Sequence, residues 1–141
     1  MRNDRLLVFL IIADFALVLL TIGAEVVLNW TLPQPLRPYG IFGEGSVADL
    51  VLLPLYIGIV VMTMVSWIGL LNYWWPARIL YIAAWLGWLL LTVLAGPSVM
   101  TAGGAALEML ENLVGGAIIC LVFASDLSKR FEERAGLLYS A

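Results

Sequence analysis

The chain lacks the side chains on which most catalytic and metal sites depend. It has no histidine and a single cysteine, Cys120, among 141 residues. Histidine is the usual haem ligand, the usual zinc ligand and the usual general base, and a lone cysteine forms neither an internal disulfide nor a thiolate metal site. No serine can be paired with a histidine or lysine at one depth. The sequence therefore predicts a protein that is not an enzyme, with no catalytic residue, cofactor or metal.

Charge is the second shortage. Only 12% of the residues are charged, where a soluble globular domain has about 25%. The formal net charge is −3 and no block of lysine or arginine occurs, which excludes the electrostatic surface that nucleic-acid binding needs. Hydrophobic residues make up 63% of the chain, and its mean hydropathy is +1.03. This composition predicts an integral membrane protein whose first partner is the lipid bilayer.

Four apolar runs are long enough to cross a hydrocarbon core about 30 Å thick, which takes roughly 17–25 helical residues. Because they are unbroken, they exclude the alternating strands of a membrane barrel. The predicted fold class is all-α: one domain, 1–141, with four transmembrane helices in an up-and-down bundle. The predicted spans are 6–28, 47–71, 76–95 and 99–124, with an outer loop at 29–45 and a helical tail at 125–141 along the inner surface.

The positions of lysine and arginine predict the orientation of the bundle. If the four spans alternate in direction, six of the seven basic residues lie on the side of both termini, and only Arg37 lies on the other. Both termini are therefore expected in the cytoplasm. Aromatic residues fit this orientation, since Tyr73, Trp74 and Trp75, with Trp67 and Tyr81 near them, are then expected at the inner interface. The face made by Tyr81, Trp85 and Trp88 is expected to serve packing and lipid contact.

Four carboxylates fall within the predicted spans, where a charged side chain costs about 2.5–3.5 kcal/mol or more near the bilayer centre. Asp14 and Glu25 are eleven residues apart, which places them on one face of the first helix. The first and last helices of an up-and-down bundle are neighbours, so we expect the polar residues of both to meet. The candidate polar cluster consists of Asp14, Thr21, Glu25, Glu108, Glu111 and Asn112.

Small residues recur at every fourth position of the last span and predict a face for close helix packing. That candidate packing face consists of Gly104, Gly116, Cys120 and Ala124.

Three interpretations of the acidic residues remain open. In the first, the acidic residues are protonated or hydrogen-bonded and only fix helix packing. Glu25 is then close enough to a span end to reach interfacial water, or Arg37 folds in from the outer loop to neutralise one of the acids. Alternatively, close carboxylates in a low dielectric cannot all ionise, which suits proton or cation handling. The third interpretation is a contact with a separate membrane protein.

The predicted function is a non-enzymatic interaction or accessory subunit of a membrane assembly, bound to another membrane protein or to further copies of itself. The alternative is an oligomeric transporter or channel, coupled to protons or cations, that uses the intramembrane carboxylates.

Two resemblances bear on these expectations. An acidic residue in the first helix, Asp14, is superficially similar to small multidrug-resistance exporters, but those have a glutamate there and very short loops, which this chain lacks. The C-terminal half resembles small four-helix bacterial inner-membrane proteins to which no activity is assigned. That resemblance implies a multi-pass protein of the bacterial cytoplasmic membrane and brings no functional residues with it. The resemblance rests on four segments of the sequence: Trp-Pro-Ala-Arg at 75–78, Gly-Pro-Ser-Val at 96–99, Gly-Gly-Ala-Ile at 115–118 and Lys-Arg-Phe at 129–131.

Overall fold

The computed structural model describes residues 2–39, 47–95 and 99–139, most of which are helical. No β-strand occurs in them, which confirms the predicted all-α class. Two short 3₁₀ helices, Asn29–Thr31 and Gln34–Tyr39, follow the first long helix. The five α-helices are α1 (Arg2–Leu28), α2 (Val47–Leu71), α3 (Trp75–Ala95), α4 (Ala102–Ala124) and α5 (Leu127–Tyr139).

Two helix starts differ from the predicted spans for local reasons. α1 begins at Arg2, because the polar residues before the apolar run do not interrupt a helix. α4 begins at Ala102 rather than at 99, because Thr101 is extended (φ −67°, ψ 154°) and caps the helix. Its hydroxyl accepts a hydrogen bond from the Gly104 amide, one of the amides that a helix start leaves without a carbonyl partner.

Helices α2 and α3 form a hairpin through a very tight turn. The Trp74 amide donates to the Gly69 carbonyl at 2.8 Å, and the Tyr73 amide donates to the Leu70 carbonyl at 3.1 Å. This pair of bonds is the Schellman motif, whose turning residue adopts a left-handed conformation. Tyr73 has φ 53° at that position, where glycine is usual, and the left-handed conformation costs a larger residue about 1–2 kcal/mol.

Contacts of the Tyr73 side chain compensate for that conformation. Its hydroxyl donates to the Asp4 carboxylate at 2.9 Å, and its ring lies 5.3 Å from the Phe131 ring. Burial and the hydrogen bond to Asp4 raise the pKa of the Tyr73 phenol, so it stays a neutral donor at physiological pH. Arg130 binds the same carboxylate at 2.8 Å, which joins the start of α1, the α2–α3 turn and α5.

The bundle consists of two antiparallel pairs, α1 with α4 and α2 with α3. Glu25, near the end of α1, contacts Thr101 at the start of α4. Leu7, near the start of α1, lies in one core cluster with Val122, near the end of α4. We call the end that holds the start of α1, the α2–α3 turn and α5 the α5 end, and the opposite end the loop end.

The main core cluster lies toward the α5 end, where α5 closes the bundle. Phe131 of α5 is fully buried, and burying a phenylalanine side chain contributes about 1.5–3 kcal/mol. The predicted helical tail therefore exists, and it packs on the ends of the other helices. The cluster consists of Leu7, Ile11, Trp67, Leu70, Ala77, Tyr81, Ile118, Val122, Leu127 and Phe131.

Helices α1 to α4 are long and apolar enough to cross a membrane. Only 17–22% of their most apolar windows is buried inside the bundle. Large apolar side chains such as Phe9, Ile68 and Val93 therefore point outward. A protein in water rarely exposes so continuous an apolar surface, so the composition and the packing both suggest a multi-pass membrane protein.

Candidate functional site

Asp14 lies at the centre of a buried hydrogen-bonded group that joins three helices. Its side chain is 4% exposed, and its Oδ2 atom accepts two hydrogen bonds, from the Trp67 indole at 3.0 Å and from the Tyr81 hydroxyl at 2.9 Å. Asp14 belongs to α1, Trp67 to α2 and Tyr81 to α3, so the group fastens one helix pair to the other. We call these three residues the Asp14 node.

The hairpin explains why two aromatic donors reach one carboxylate. Trp67 lies one turn before the end of α2 and Tyr81 lies about two turns after the start of α3, so the tight turn brings both to a similar level. The Phe15 ring meets the Trp67 ring edge-on, with centroids 5.5 Å apart. This contact holds the indole with its N–H toward Asp14. Because hydrogen bonds to charged groups contribute about 1.5–3 kcal/mol each, two donors offset much of the cost of burying the carboxylate.

Glu25 caps the start of α4. Its side chain is 2% exposed, and its Oε1 atom accepts from the Thr101 amide at 3.0 Å and from the Thr101 hydroxyl at 2.8 Å. The Thr101 hydroxyl in turn accepts from the Gly104 amide at 3.0 Å. An acidic group is stabilised at a helix start by the free amides and the helix dipole. The expectation that Glu25 reaches interfacial water was therefore wrong.

Gly104 is the residue that makes room for this cap. A Cβ atom at Gly104 would overlap the Glu25 carboxylate, so any larger residue displaces it. Gly104 thus belongs to a close contact between α1 and α4, as the small-residue pattern predicts, although the contact is with a polar side chain.

The acidic residues of α4 form no hydrogen bond with either of these groups. Glu108 and Asn112 are exposed on the outside of the bundle and Glu111 is half-buried between them and the interior. Within residues 2–39, 47–95 and 99–139, none of the three forms a hydrogen bond or an ion pair. Glu111 lies within electrostatic range of both Asp14 and Glu108. We call Glu108, Glu111 and Asn112 the α4 polar face.

The predicted single cluster is thus divided into three parts. Glu25 does not join Glu108 and Glu111, because its carboxylate turns to the amide donors at the start of α4. Thr21 bonds to none of the acids, and its hydroxyl oxygen is buried with no hydrogen-bond partner in the described part of the chain. The proposed neutralisation by Arg37 concerns a side chain that lies outside the described ones.

Of the predicted packing face, only Gly104 makes a close contact between helices of the same chain. Nothing lies within 4 Å of a Cβ built at Gly116, and Cys120 and Ala124 are exposed. A row of every fourth residue turns by about 40° per step around a helix, so it leaves the contact surface that Gly104 starts. Whether the row of Gly116 and Cys120 packs against a second chain stays a prediction. The buried residues of α4 are Gly104, Gly115, Ile118 and Val122.

Of the two adjacent glycines in α4, Gly115 is close-packed and Gly116 is not. A Cβ atom there would overlap the Trp85 indole of α3, so this glycine admits a large aromatic side chain between the helix pairs. The contact explains the half-burial of Trp85, whereas Trp88, one turn further, is exposed and meets Tyr56 edge-on at 5.5 Å.

Sequence reasoning missed the two donors to Asp14. It placed Trp67 and Tyr81 near an interfacial belt, but they are only 8% and 2% exposed. The positions of the residues along their helices could have indicated one of these donors. Counting about 1.5 Å per residue from the α5 end brings Asp14 and Tyr81 to within a few ångströms of the same level.

The comparisons with known proteins add no relative to this picture. No family model, no curated protein and no solved structure matches the chain. Within the described residues, no three histidine, cysteine, aspartate or glutamate side chains lie close enough together to hold a metal ion. The functional argument therefore rests on the geometry of the acidic residues.

Proposed function

We propose that this chain is a multi-pass protein of the bacterial cytoplasmic membrane, with both termini in the cytoplasm, that acts as a non-enzymatic interaction subunit. The α4 polar face carries this proposal. Asp14 and Glu25 both have hydrogen-bond donors inside the bundle, so their burial is explained by structure alone. Glu108 and Asn112 have none within the described residues, and they point away from the bundle.

The depth of the α4 polar face supports a protein partner. Glu108 and Asn112 lie six and ten residues after Ala102, the first residue of α4, or about 9 and 15 Å along a helix that spans the bilayer. A charge near the bilayer centre costs about 2.5–3.5 kcal/mol on insertion scales, and an amide facing lipid tails has no partner there either. A polar group on a neighbouring transmembrane helix removes both costs. Hydrogen bonds of this kind between membrane helices contribute about 0.6–2 kcal/mol each.

Cys120 provides a direct test, because the only cysteine of the chain is exposed two turns along α4 from Asn112. A photoreactive thiol reagent attached to Cys120 in native membranes should give one adduct of defined mass with a second membrane protein. Glu108→Leu and Asn112→Leu should lower its yield several-fold. Met109→Leu is the matched control, since Met109 is equally exposed on the same helix but carries no polar group. The absence of any adduct, or equal yields from all variants, would refute the proposed interaction.

The alternative of a proton-coupled oligomer is supported by one observation. Glu111 lies within electrostatic range of both the buried Asp14 and the exposed Glu108. One copy of four helices leaves little room for a path, so this function needs a second copy against α4. It predicts a crosslinked adduct of twice the chain's mass, and proton flux into proteoliposomes that Glu111→Gln abolishes. Proteoliposomes of the wild type without proton flux would exclude it.

A further inference from the structure

Arg78 lies between three helices at the α5 end. It is on the first turn of α3, and its guanidinium carbon lies 4.8 Å from the centre of the Phe123 ring and 5.4 Å from that of the Phe131 ring. Phe123 belongs to the end of α4 and Phe131 to α5. Cation–π contacts with both rings hold the guanidinium beside the end of α4 and beside α5.

The positive charge of Arg78 has no carboxylate partner in the described part of the chain. Among the described residues its one hydrogen bond runs from Nη1 to the Ser128 carbonyl and is long, at 3.4 Å, and its Nε atom is buried with no partner there. Two neighbouring basic residues differ in this respect, since Arg130 binds Asp4 at 2.8 Å and Lys129 binds Asp126 at 3.4 Å. Arg78 is thus a half-buried cation with most of its five N–H donors unused.

We propose that Arg78 binds the phosphate group of an anionic lipid at the cytoplasmic surface of the membrane. The planar guanidinium edge presents paired N–H donors that match phosphate oxygens, and basic pockets between transmembrane helices on the cytoplasmic side hold anionic headgroups. Trp74, just before α3, and Trp75, its first residue, are both exposed and place Arg78 at the level of the headgroups. This inference rests on the proposed membrane orientation and is independent of the partner proposed for α4.

Thermal unfolding in two kinds of nanodisc tests the proposal. One contains phosphatidylcholine alone, and the other contains phosphatidylcholine with phosphatidylglycerol. The wild type should unfold on the order of 5 °C higher in the anionic discs, because a ligand that binds only the folded state raises Tm. Arg78→Gln should remove this difference, and Arg78→Lys should keep part of it. Each variant is compared with itself in the two lipids, so a general loss of stability cancels.

Arg5→Gln is the matched control, because Arg5 is an exposed cation at the same end of the bundle. It should keep the full difference between the two lipids. Inorganic phosphate added to the protein in detergent distinguishes the two sources of the anion. A rise in Tm with phosphate but not with added lipid assigns the site to a free phosphate and overturns the lipid assignment. Equal Tm values in the two discs, or an equal loss from Arg5→Gln and Arg78→Gln, overturn the proposal altogether.

Discussion

Asp14 and Glu25 show how a single apolar helix can bury two carboxylates that accept hydrogen bonds from neutral donors. Asp14 uses donors on aromatic side chains, the Trp67 indole and the Tyr81 hydroxyl. Glu25 uses the backbone and the hydroxyl of Thr101. Hydrogen bonds within the bundle thus account for the burial of both carboxylates. Both acids lie on the same face of α1, so the kind of donor that each one uses depends on the residues packed against it.

We expect Tyr81→Phe to lower the free energy of unfolding in mixed micelles by about 0.6–2 kcal/mol, because it removes one donor to a buried carboxylate and keeps the ring. Tyr56→Phe is the matched control: Tyr56 packs on Trp88, and its hydroxyl has no hydrogen bond within the described residues. That change should leave stability within about 0.5 kcal/mol of the wild type. Equal losses from the two variants would show that the Asp14 node contributes nothing.

Sequence alone identified Asp14 as a position that needs an explanation, because hydropathy makes a buried acid conspicuous. It could not identify the donors. Several aromatic residues lie near the same depth, and which of them faces Asp14 depends on how α2 and α3 rotate when they pack. The same rotation decides that Gly115, and not Gly116, meets another helix, although the two glycines are adjacent in the sequence.

At the scale of the helix, the start of α4 depends on a group from α1. The Glu25 carboxylate reaches the start of α4 only because Gly104 has no side chain. Hydropathy predicted the existence of this helix but placed its start three residues early, since an apolar run carries no information about the capping residue. The cap of a helix and the contact between α1 and α4 are thus one interaction.

Gly104→Ala and Gly116→Ala should therefore have opposite effects on stability. The added methyl group at Gly104 displaces Glu25 from Thr101, and we expect a loss of about 1–3 kcal/mol from overpacking and the lost cap. The same change at Gly116 meets open space and favours the helical conformation, so it should be neutral or stabilising by up to about 1 kcal/mol. Unfolding of both variants in mixed micelles decides the matter, and a larger loss at Gly116 would contradict the packing described here.

The whole molecule has its polar contacts and its outward apolar surface arranged as a membrane bundle requires. The α5 end joins Asp4, Tyr73 and Arg130, and outside the α4 polar face the sides of α1 to α4 are mostly apolar. The four-helix class was predictable because long apolar runs have few alternatives. The pairing of α1 with α4 followed from the up-and-down order, whereas the docking of α5 on the bundle requires the positions of Leu127 and Phe131 in three dimensions.

The proposed orientation of the bundle predicts the result of reporter fusions. A fusion after Arg130 should report a cytoplasmic location, and one at Gly43, in the predicted outer loop, should report the opposite side, because the predicted spans put six of the seven basic residues on the side of the termini. Matching signals from the two sites would refute the orientation with both termini in the cytoplasm. Both fusion proteins should still be recovered in the membrane fraction of the cells, which checks that the reporter has not prevented insertion.

The pairing of the first helix with the fourth also sets an order of events during synthesis. α1 leaves the ribosome before any of its partners, so in the proposed membrane topology its two carboxylates first meet the bilayer without their donors. Asp14 obtains its donors once the α2–α3 hairpin has been inserted, but Glu25 must wait for Thr101, about 76 residues later in the chain, or some 4–15 s at typical rates of synthesis. The position of Glu25 near the aqueous end of α1 lets its carboxylate stay in contact with water during that interval. The same acid that ends up sealed against α4 is thus placed where an unpaired charge costs least while the nascent chain is still incomplete.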